Sequence, residues 1–153
     1  MAAGVTEPWP KEHIPDDDLL YVRVLKDDID EEGIPEPRVV RNHVDQRGIA
    51  AMSTAWSRYA RPQDTLQRAR RRPPADYGVI SLNVGMVRRI PYHSVEHDPV
   101  FNEPEDPLKP NNRAHTNVSG PKSPKEPGGD VKIRALYIAV SRSCGWAIDP
   151  RAQ

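Results

Sequence analysis

The apolar and polar positions follow their clearest pattern between residues 77 and 90. Residues 79–82, Val-Ile-Ser-Leu, are mostly apolar and partly β-branched, which favours a strand. Asn83 then occupies the position of a helix N-cap, and residues 84–90 place apolar side chains on one helical face. Because no proline interrupts this stretch, we predict a strand that leads into a short helix at the centre of the core.

Four further segments have the alternation or the β-branched content of strands. They are residues 19–25, 49–56, 94–97 and 115–119, while residues 38–47 fit either a short strand or a loop. In the first of these strands Leu20, Val22 and Val24 fall on one face, which we expect to turn towards the core.

Two further helices are predicted. The first spans residues 61–72, with Pro62 at the first helical position and arginines gathered at its carboxyl end. The last runs from residue 131 to about residue 143 and is capped by Asp130. Its predicted buried stripe consists of Ile133, Leu136, Tyr137, Val140 and Cys144.

This order of elements predicts an α+β fold: one small mixed, mainly antiparallel sheet backed by two or three helices, with proline-rich loops. The length of 153 residues fits one domain. We expect residues 1–15 to form a flexible arm anchored by Trp9, residues 16–149 to form the domain, and residues 150–153 to form a tail.

The amino-acid composition predicts a small hydrophobic core. Hydrophobic residues make up 37% of the chain, mean hydropathy is −0.73, and 17 prolines require much of the chain to be loop. The single cysteine, Cys144, excludes an intramolecular disulfide. No apolar run is long enough to cross a bilayer and no signal peptide is recognised, so we expect a cytoplasmic protein without membrane contact.

The net charge is zero, but the charges are unevenly distributed. Residues 1–36 hold eleven acids and three bases, a net charge of −8, whereas residues 37–72 hold nine bases and two acids, a net charge of +7. Such regions can neutralise each other within the fold or between chains, so we expect a protein partner or self-association. Nucleic-acid binding stays an alternative that the balanced total charge does not favour.

Residues 93–97 spell H-x-x-E-H, the order found in one class of zinc peptidases. That chemistry requires a helix, in which residues four apart point at one metal. Pro91 and Pro99 flank the segment and Val95 favours a strand, in which His93 and His97 would lie roughly 13 Å apart. We therefore predict neither a metal site nor a cofactor.

His97 and His115 each lie at the end of a predicted strand, beside irregular loops where functional side chains often occur. With Arg113 they are candidates for acid–base catalysis or anion binding. The alternative is that both imidazoles pair with backbone while the neighbouring Asp and Asn cap turns. The enzyme interpretation requires the two histidines to converge with Arg113 or Arg23 in one pocket.

Arg23 on the first strand and Ser53 on the second resemble the beginning of ADP-ribosyltransferase-like folds, in which such an arginine holds the phosphate of NAD. The resemblance also requires a glutamate at the end of a later strand, for which Glu96 is the candidate. The alternative is that Arg23 is a solvated residue on a half-buried strand.

An arginine cluster ends the helix predicted over residues 61–72. We take its members as candidate partner-binding residues that compensate the helix dipole or meet the acidic amino-terminal segment. A grip on nucleic-acid phosphate is the alternative, although the cluster lacks interleaved aromatic residues. The cluster consists of Arg68, Arg70, Arg71 and Arg72.

Five short segments are similar, in order, to a group of small uncharacterised bacterial proteins. Their motifs are Leu-Tyr-x-Arg, Met/Leu-Ser, Gly-Val-x-Ser-Leu, His-Asp-Pro and Asn-x-Ala-His, in residues 20–24, 52–56, 78–82, 95–99 and 112–115. The resemblance covers about residues 19–140, and Arg113 stands where proline is common in the group. It implies a bacterial, cytoplasmic setting and transfers no catalytic residue.

The sequence thus predicts a small bacterial accessory or interaction protein that acts by binding a protein partner. The alternative is an enzyme or toxin-like domain, ADP-ribosyltransferase-like or nuclease, that uses His97, His115 and Arg113. Whether the chain is an enzyme is left open at this level.

Overall fold

The computed structural model describes residues 8–36, 39–40, 43–44, 50–120 and 129–152. In chain order the elements are β1 (Leu19–Leu25), β2 (His43–Val44), β3 (Ala50–Trp56), α1 (Pro62–Gln67), β4 (Tyr77–Asn83), α2 (Val84–Arg88), β5 (Ser94–His97), β6 (His115–Ser119), α3 (Gly129–Cys144) and β7 (Trp146–Ile148). The strands form one sheet in the order β5-β6-β3-β1-β4-β7, with β2 paired to β3, and the described ladders are antiparallel. The predicted α+β class with a mainly antiparallel sheet is confirmed.

Strand β4 lies at the centre of the packing. It pairs with β1 along its whole length, from Leu19↔Asn83 to Leu25↔Tyr77, and with β7 on its other side. Val79 is 0% exposed, because α1 covers that face of the sheet, while α3 covers the other face. The prediction that residues 79–82 form the buried middle of the core is confirmed.

The predicted strand-to-helix junction is also confirmed. The Asn83 side chain caps α2 by accepting a hydrogen bond of 2.9 Å from the Met86 backbone N–H. The same side chain donates to the Asp16 carbonyl at 3.1 Å, and Arg88 Nη1 binds the Asp16 carboxylate at 2.7 Å. The junction therefore also fixes the segment that precedes β1.

The two faces of the sheet are covered unequally. One face, here called the inner face, carries Leu20, Val22 and Val24 and packs against α2 and α3. The opposite, outer face carries Tyr21 and Arg23, and the six-residue helix α1 covers only part of it. Part of the outer face between β1 and β3 is therefore left open.

The carboxyl-terminal residues belong to the fold. Pro150, which was expected in a tail, is buried and packs beside Gly78 of β4. A Cβ atom on Gly78 would collide with the Pro150 ring and lie 2.7 Å from the Ile148 carbonyl oxygen. Glycine is needed there because β4, β7 and the following proline approach so closely.

The expected flexible arm falls partly outside the described residues, since residues 1–7 are not among them. The described part is packed onto the domain: Ile14 is 1% exposed and belongs to the main core cluster. Trp9 contacts Phe101 edge to face, with ring centroids 5.2 Å apart, which places the expected anchor residue against the loop after β5.

The helix predicted over residues 61–72 is wrong in its length, because α1 ends at Gln67. Arg68 Nη2 donates to the Asn111 carbonyl at 2.8 Å, which directs the chain towards the loop between β5 and β6. Pro73 also disfavours helical geometry in the preceding residue. The later arginines therefore lie outside the helix.

Two details of the carboxyl-terminal region differ from the prediction. Helix α3 begins at Gly129, so Asp130 lies within it and is not its cap; Leu136 is 46% exposed, and Ile138 is buried instead. Strand β7 was not predicted, because its three residues are too few to show an alternation.

Replacing Leu82 with alanine tests the position of the core. Leu82 is fully buried on β4, so Leu82→Ala should lower the free energy of unfolding by about 2–5 kcal/mol. The matched variant Leu136→Ala should lower it by less than about 1 kcal/mol, because Leu136 is largely exposed. Urea unfolding followed by tryptophan fluorescence measures both, and equal losses would contradict this arrangement of the core.

Candidate functional site

Strands β1 and β3 separate in the middle of the sheet. Their registered pairing in the described chain is limited to two positions and ends at Tyr21↔Ala55. Both strands continue beyond that pair, and a cavity of about 400 Å³ opens between them, with Arg23 on one side and Ser53 on the other. We call this cavity the β1–β3 cleft.

Arginines line the β1–β3 cleft. Arg23 reaches it from β1, because the alternation that buries Val22 and Val24 places Arg23 on the outer face. The segment that follows α1 supplies the others, and it is held in place because Arg70 Nη2 approaches the Pro107 carbonyl at 3.5 Å. Among the described residues, four arginines line the cleft: Arg23, Arg68, Arg70 and Arg71.

Few acidic side chains accompany these arginines in the described lining of the cleft. Asp28 is the one acidic side chain among the described residues that line the cleft. None of the four arginines forms a salt bridge with a carboxylate in the described parts of the chain. Burial lowers the pKa of Arg23 and of Arg68, and the charge of Arg68 lowers that of Arg23 further. A bound anion would therefore offset the cost of burying these guanidinium groups and reduce the repulsion between them.

A buried hydroxyl group lies beside the innermost arginine. Thr65 of α1 lines the β1–β3 cleft and is 4% exposed, and its Oγ1 atom has no hydrogen-bond partner among the described residues. The carbonyl oxygen of the same residue accepts a 2.9 Å hydrogen bond from Arg23 Nη1. The guanidinium group and the unpartnered hydroxyl are thus neighbours.

Apolar and aromatic side chains line another part of the cleft. Its lining includes Tyr21, Leu25, Val39, Met52 and Tyr77. Burial raises the pKa of Tyr21, so this phenol is neutral at ordinary pH and can donate a hydrogen bond. A cavity of this size with an apolar lining and a few convergent polar groups has the general character of a ligand site.

The predicted pair of histidines does not converge. His97 on β5 is registered with Thr116 on β6, so these two side chains share the inner face. His115 precedes Thr116 in the same strand and therefore lies on the outer face. The sheet separates the two imidazoles.

Both imidazoles are bound to backbone groups. His97 is 2% exposed; its Nδ1 accepts from the Glu12 N–H at 3.0 Å, and its Nε2 donates to the Arg113 carbonyl at 2.6 Å. His115 Nδ1 lies 2.8 Å from the Asp98 carbonyl. His97 therefore links the amino-terminal segment to the turn before β6 through these two hydrogen bonds.

A polar cluster surrounds the carboxylate of Glu12. The Tyr59 hydroxyl donates to it, Arg58 Nη1 lies 3.2 Å away, and Arg113 Nη2 lies 3.9 Å away. The Arg113 guanidinium also covers the Tyr59 ring, with 4.2 Å between its central carbon and the ring centroid. The hydrogen bond from Tyr59, followed by the charges of Arg58 and Arg113, lowers the pKa of Glu12 against the effect of burial.

The H-x-x-E-H segment forms strand β5 from Ser94 onwards, as predicted, with Glu96 exposed and His97 buried on opposite faces. His93 precedes the strand, and its Nδ1 lies 3.0 Å from the Pro91 carbonyl. Over the described residues, no group of three or more His, Cys, Asp or Glu side chains is arranged to hold a metal ion.

The remaining candidates separate into two groups. Arg23 and Ser53, chosen together from the sequence, line the β1–β3 cleft with three of the four clustered arginines. Arg72 lies apart from the described lining and approaches Asp27 at 3.9 Å and Asp76 at 4.0 Å. The contact between Arg72 and Asp27 shows that the acidic segment 1–36 and the basic segment 37–72 neutralise each other in part within the chain.

Comparison of the chain with protein-family models, with curated proteins and with solved structures finds no match. No described helix has the length and apolar character required to cross a membrane. A functional proposal therefore has to rest on the geometry of the β1–β3 cleft.

Sequence reasoning missed two contributors to these sites. Thr65 gives no signal in the sequence, because an isolated threonine in a predicted helix is common. The role of Glu12 depends on its contacts with Arg58 and Tyr59, which are 46 and 47 positions further along the chain. A helical wheel over α1 would place Thr65 beside the buried Leu66, but it would not show that the hydroxyl lacks a partner.

Replacing Glu12 with glutamine tests the polar cluster through its pH dependence. A lowered pKa in the folded state stabilises the fold above the pKa of the unfolded chain, and this contribution is lost as the pH falls through the folded value. At about pH 6 the wild-type protein should therefore unfold at a higher urea concentration than Glu12→Gln, and this difference should shrink below about pH 4. A difference that is constant between about pH 6 and about pH 3 would contradict this role of the carboxylate.

Proposed function

We propose that the protein is an interaction protein that acts by binding, and that the β1–β3 cleft receives an acidic segment of a partner protein. The observation that carries this proposal is the set of four cleft arginines without a salt bridge to a described carboxylate. Arginine is well suited to such a site, because its planar guanidinium binds carboxylates through two parallel hydrogen bonds.

The shape of the site supports a protein partner over nucleic acid. The charge is concentrated in one cavity of about 400 Å³, whereas a nucleic-acid surface follows a backbone over several phosphates. The chain as a whole has no net charge. The exposed positions of Arg70 and Arg71 make them accessible to the side chains of an incoming segment.

The alternative of an enzyme that uses His97, His115 and Arg113 finds little support. Both imidazoles are bound to carbonyl groups, and they lie on opposite faces of the sheet. Arg113 is engaged with Tyr59 and Glu12. A bacterial, cytoplasmic setting remains part of the proposal, on the resemblance of the five short motifs alone.

Binding of an acidic probe tests the proposal. A fluorescein-labelled peptide of eight glutamates should bind the wild-type protein, and the double variant Arg70→Gln/Arg71→Gln should bind about tenfold more weakly, because it removes two exposed attractive charges. Fluorescence anisotropy at two salt concentrations measures the affinity. Raising the salt concentration should weaken binding to the wild-type protein more than binding to the double variant.

The matched control is Arg89→Gln/Arg142→Gln, which removes two exposed arginines outside the described lining of the cleft. This control should bind the peptide like the wild type. Equal weakening in both double variants would contradict the assignment of the cleft. Tighter binding of a double-stranded DNA of equal charge would favour nucleic acid over an acidic protein segment, and concentration-dependent self-association that blocks the peptide would identify a second copy as the partner.

A further inference from the structure

We propose that the innermost part of the β1–β3 cleft is a phosphoryl-binding subsite formed by Arg23 and Thr65, so that the ligand carries a phosphate group. This inference rests on the proposed function, since it concerns the same cleft. It goes further by naming the chemical group that the deepest residues select.

The first reason is the state of Arg23. Its guanidinium is half-buried on β1, and its one hydrogen bond in the described structure is to the Thr65 carbonyl oxygen. A guanidinium has five N–H donors, so Arg23 has further donors that a ligand oxygen can accept from. A desolvated positive charge that lacks a carboxylate partner is unfavourable unless an anion compensates it.

The second reason is the Thr65 hydroxyl. A threonine within a helix usually satisfies its hydroxyl by donating to a carbonyl one turn earlier. Thr65 Oγ1 makes no such hydrogen bond, although it is almost completely buried at the wall of the cleft. A ligand oxygen could accept the hydroxyl proton, which explains why a polar side chain occupies this position.

The third reason is that donor-bearing side chains from different elements line the same cleft. Arg23 lies on the strand side, Thr65 on the helix side, and Arg68 follows α1 at the edge. Arg68 lies close enough for its charge to influence Arg23. A carboxylate offers two oxygens in one plane, whereas a phosphate offers three terminal oxygens in a tetrahedral arrangement. The donor groups of Arg23, Thr65 and Arg68 are therefore better matched in number by the three oxygens of a phosphate.

Two sources could supply this group: a phosphorylated side chain in the acidic segment of a partner, or a small phosphorylated molecule. The aromatic and aliphatic lining around Tyr21 and Met52 can accommodate the organic part of either one. Both sources share the phosphoryl chemistry, and the experiment distinguishes them.

The experiment compares two labelled acidic peptides that differ only in a central serine or phosphoserine. The wild-type protein should bind the phosphorylated peptide at least about tenfold more tightly, a gain typical of new charge-assisted hydrogen bonds. In Thr65→Val this gain should fall below about threefold, because the variant removes the hydroxyl that donates to the phosphate. Thr65→Ser should retain the gain, because it keeps the hydroxyl.

Two controls make the test specific. Ser143→Ala removes an exposed hydroxyl outside the described lining of the cleft and should leave the phosphate-dependent gain intact. Thr65→Val should fold as stably as the wild type, because the hydroxyl that it removes makes no hydrogen bond; urea unfolding checks this. Arg23→Lys keeps the charge but loses the planar fork, and should reduce the gain.

Each outcome is informative. If both peptides bind equally through Arg70 and Arg71, the phosphoryl subsite is wrong and the proposed function stands. If only the phosphorylated peptide binds, the subsite is supported and a purely acidic segment is wrong. If inorganic phosphate or a nucleoside monophosphate displaces the phosphopeptide more readily than free phosphoserine does, the subsite is supported and a small molecule is its source. If neither peptide nor phosphate binds, both proposals are wrong.

Discussion

The antiparallel ladder between β1 and β4 is the constraint on which the rest of the structure depends. It pairs seven residues of each strand, and the alternation of β1 places Val22 and Val24 in the core. Because side chains alternate strictly along a strand, Arg23 then has to lie on the other face. A slip of one residue would bury the guanidinium among aliphatic side chains. Core packing thus fixes the position of the residue that characterises the cleft.

Helix α1 determines how much of the outer face is accessible. It is six residues long and covers the end of the sheet where Leu66 packs against Tyr77 and Val79. If α1 continued through the arginine cluster, as its sequence suggests, the arginine side chains would point in several directions around the helix axis. The chain instead leaves the helix at Arg68, and three of the four clustered arginines line the cleft. Tertiary hydrogen bonds override local helix propensity here.

Local patterns accounted for most of the fold and for little of the site. Strands β1, β4, β5 and β6 could be predicted because alternation and β-branched residues are local signals. The Asn83 cap was predictable for the same reason. The separation of β1 from β3, by contrast, depends on how distant segments pair, and no short pattern encodes it. Histidines attracted functional interpretation because imidazole is chemically versatile, yet His97 is bound by backbone groups from two distant segments.

The close approach of Gly78 to Pro150 makes β7 a cover for the outer edge of the sheet. Strand β4 is buried along nearly its whole length, and β7 pairs with it at Val79 and Ile80. Without β7, an apolar strand would present unpaired backbone N–H and C=O groups to solvent, and such edges recruit strands from other molecules. The short β7 strand thus shields part of the edge of β4, and a bulky side chain at position 78 would collide with Pro150 and disturb that cover.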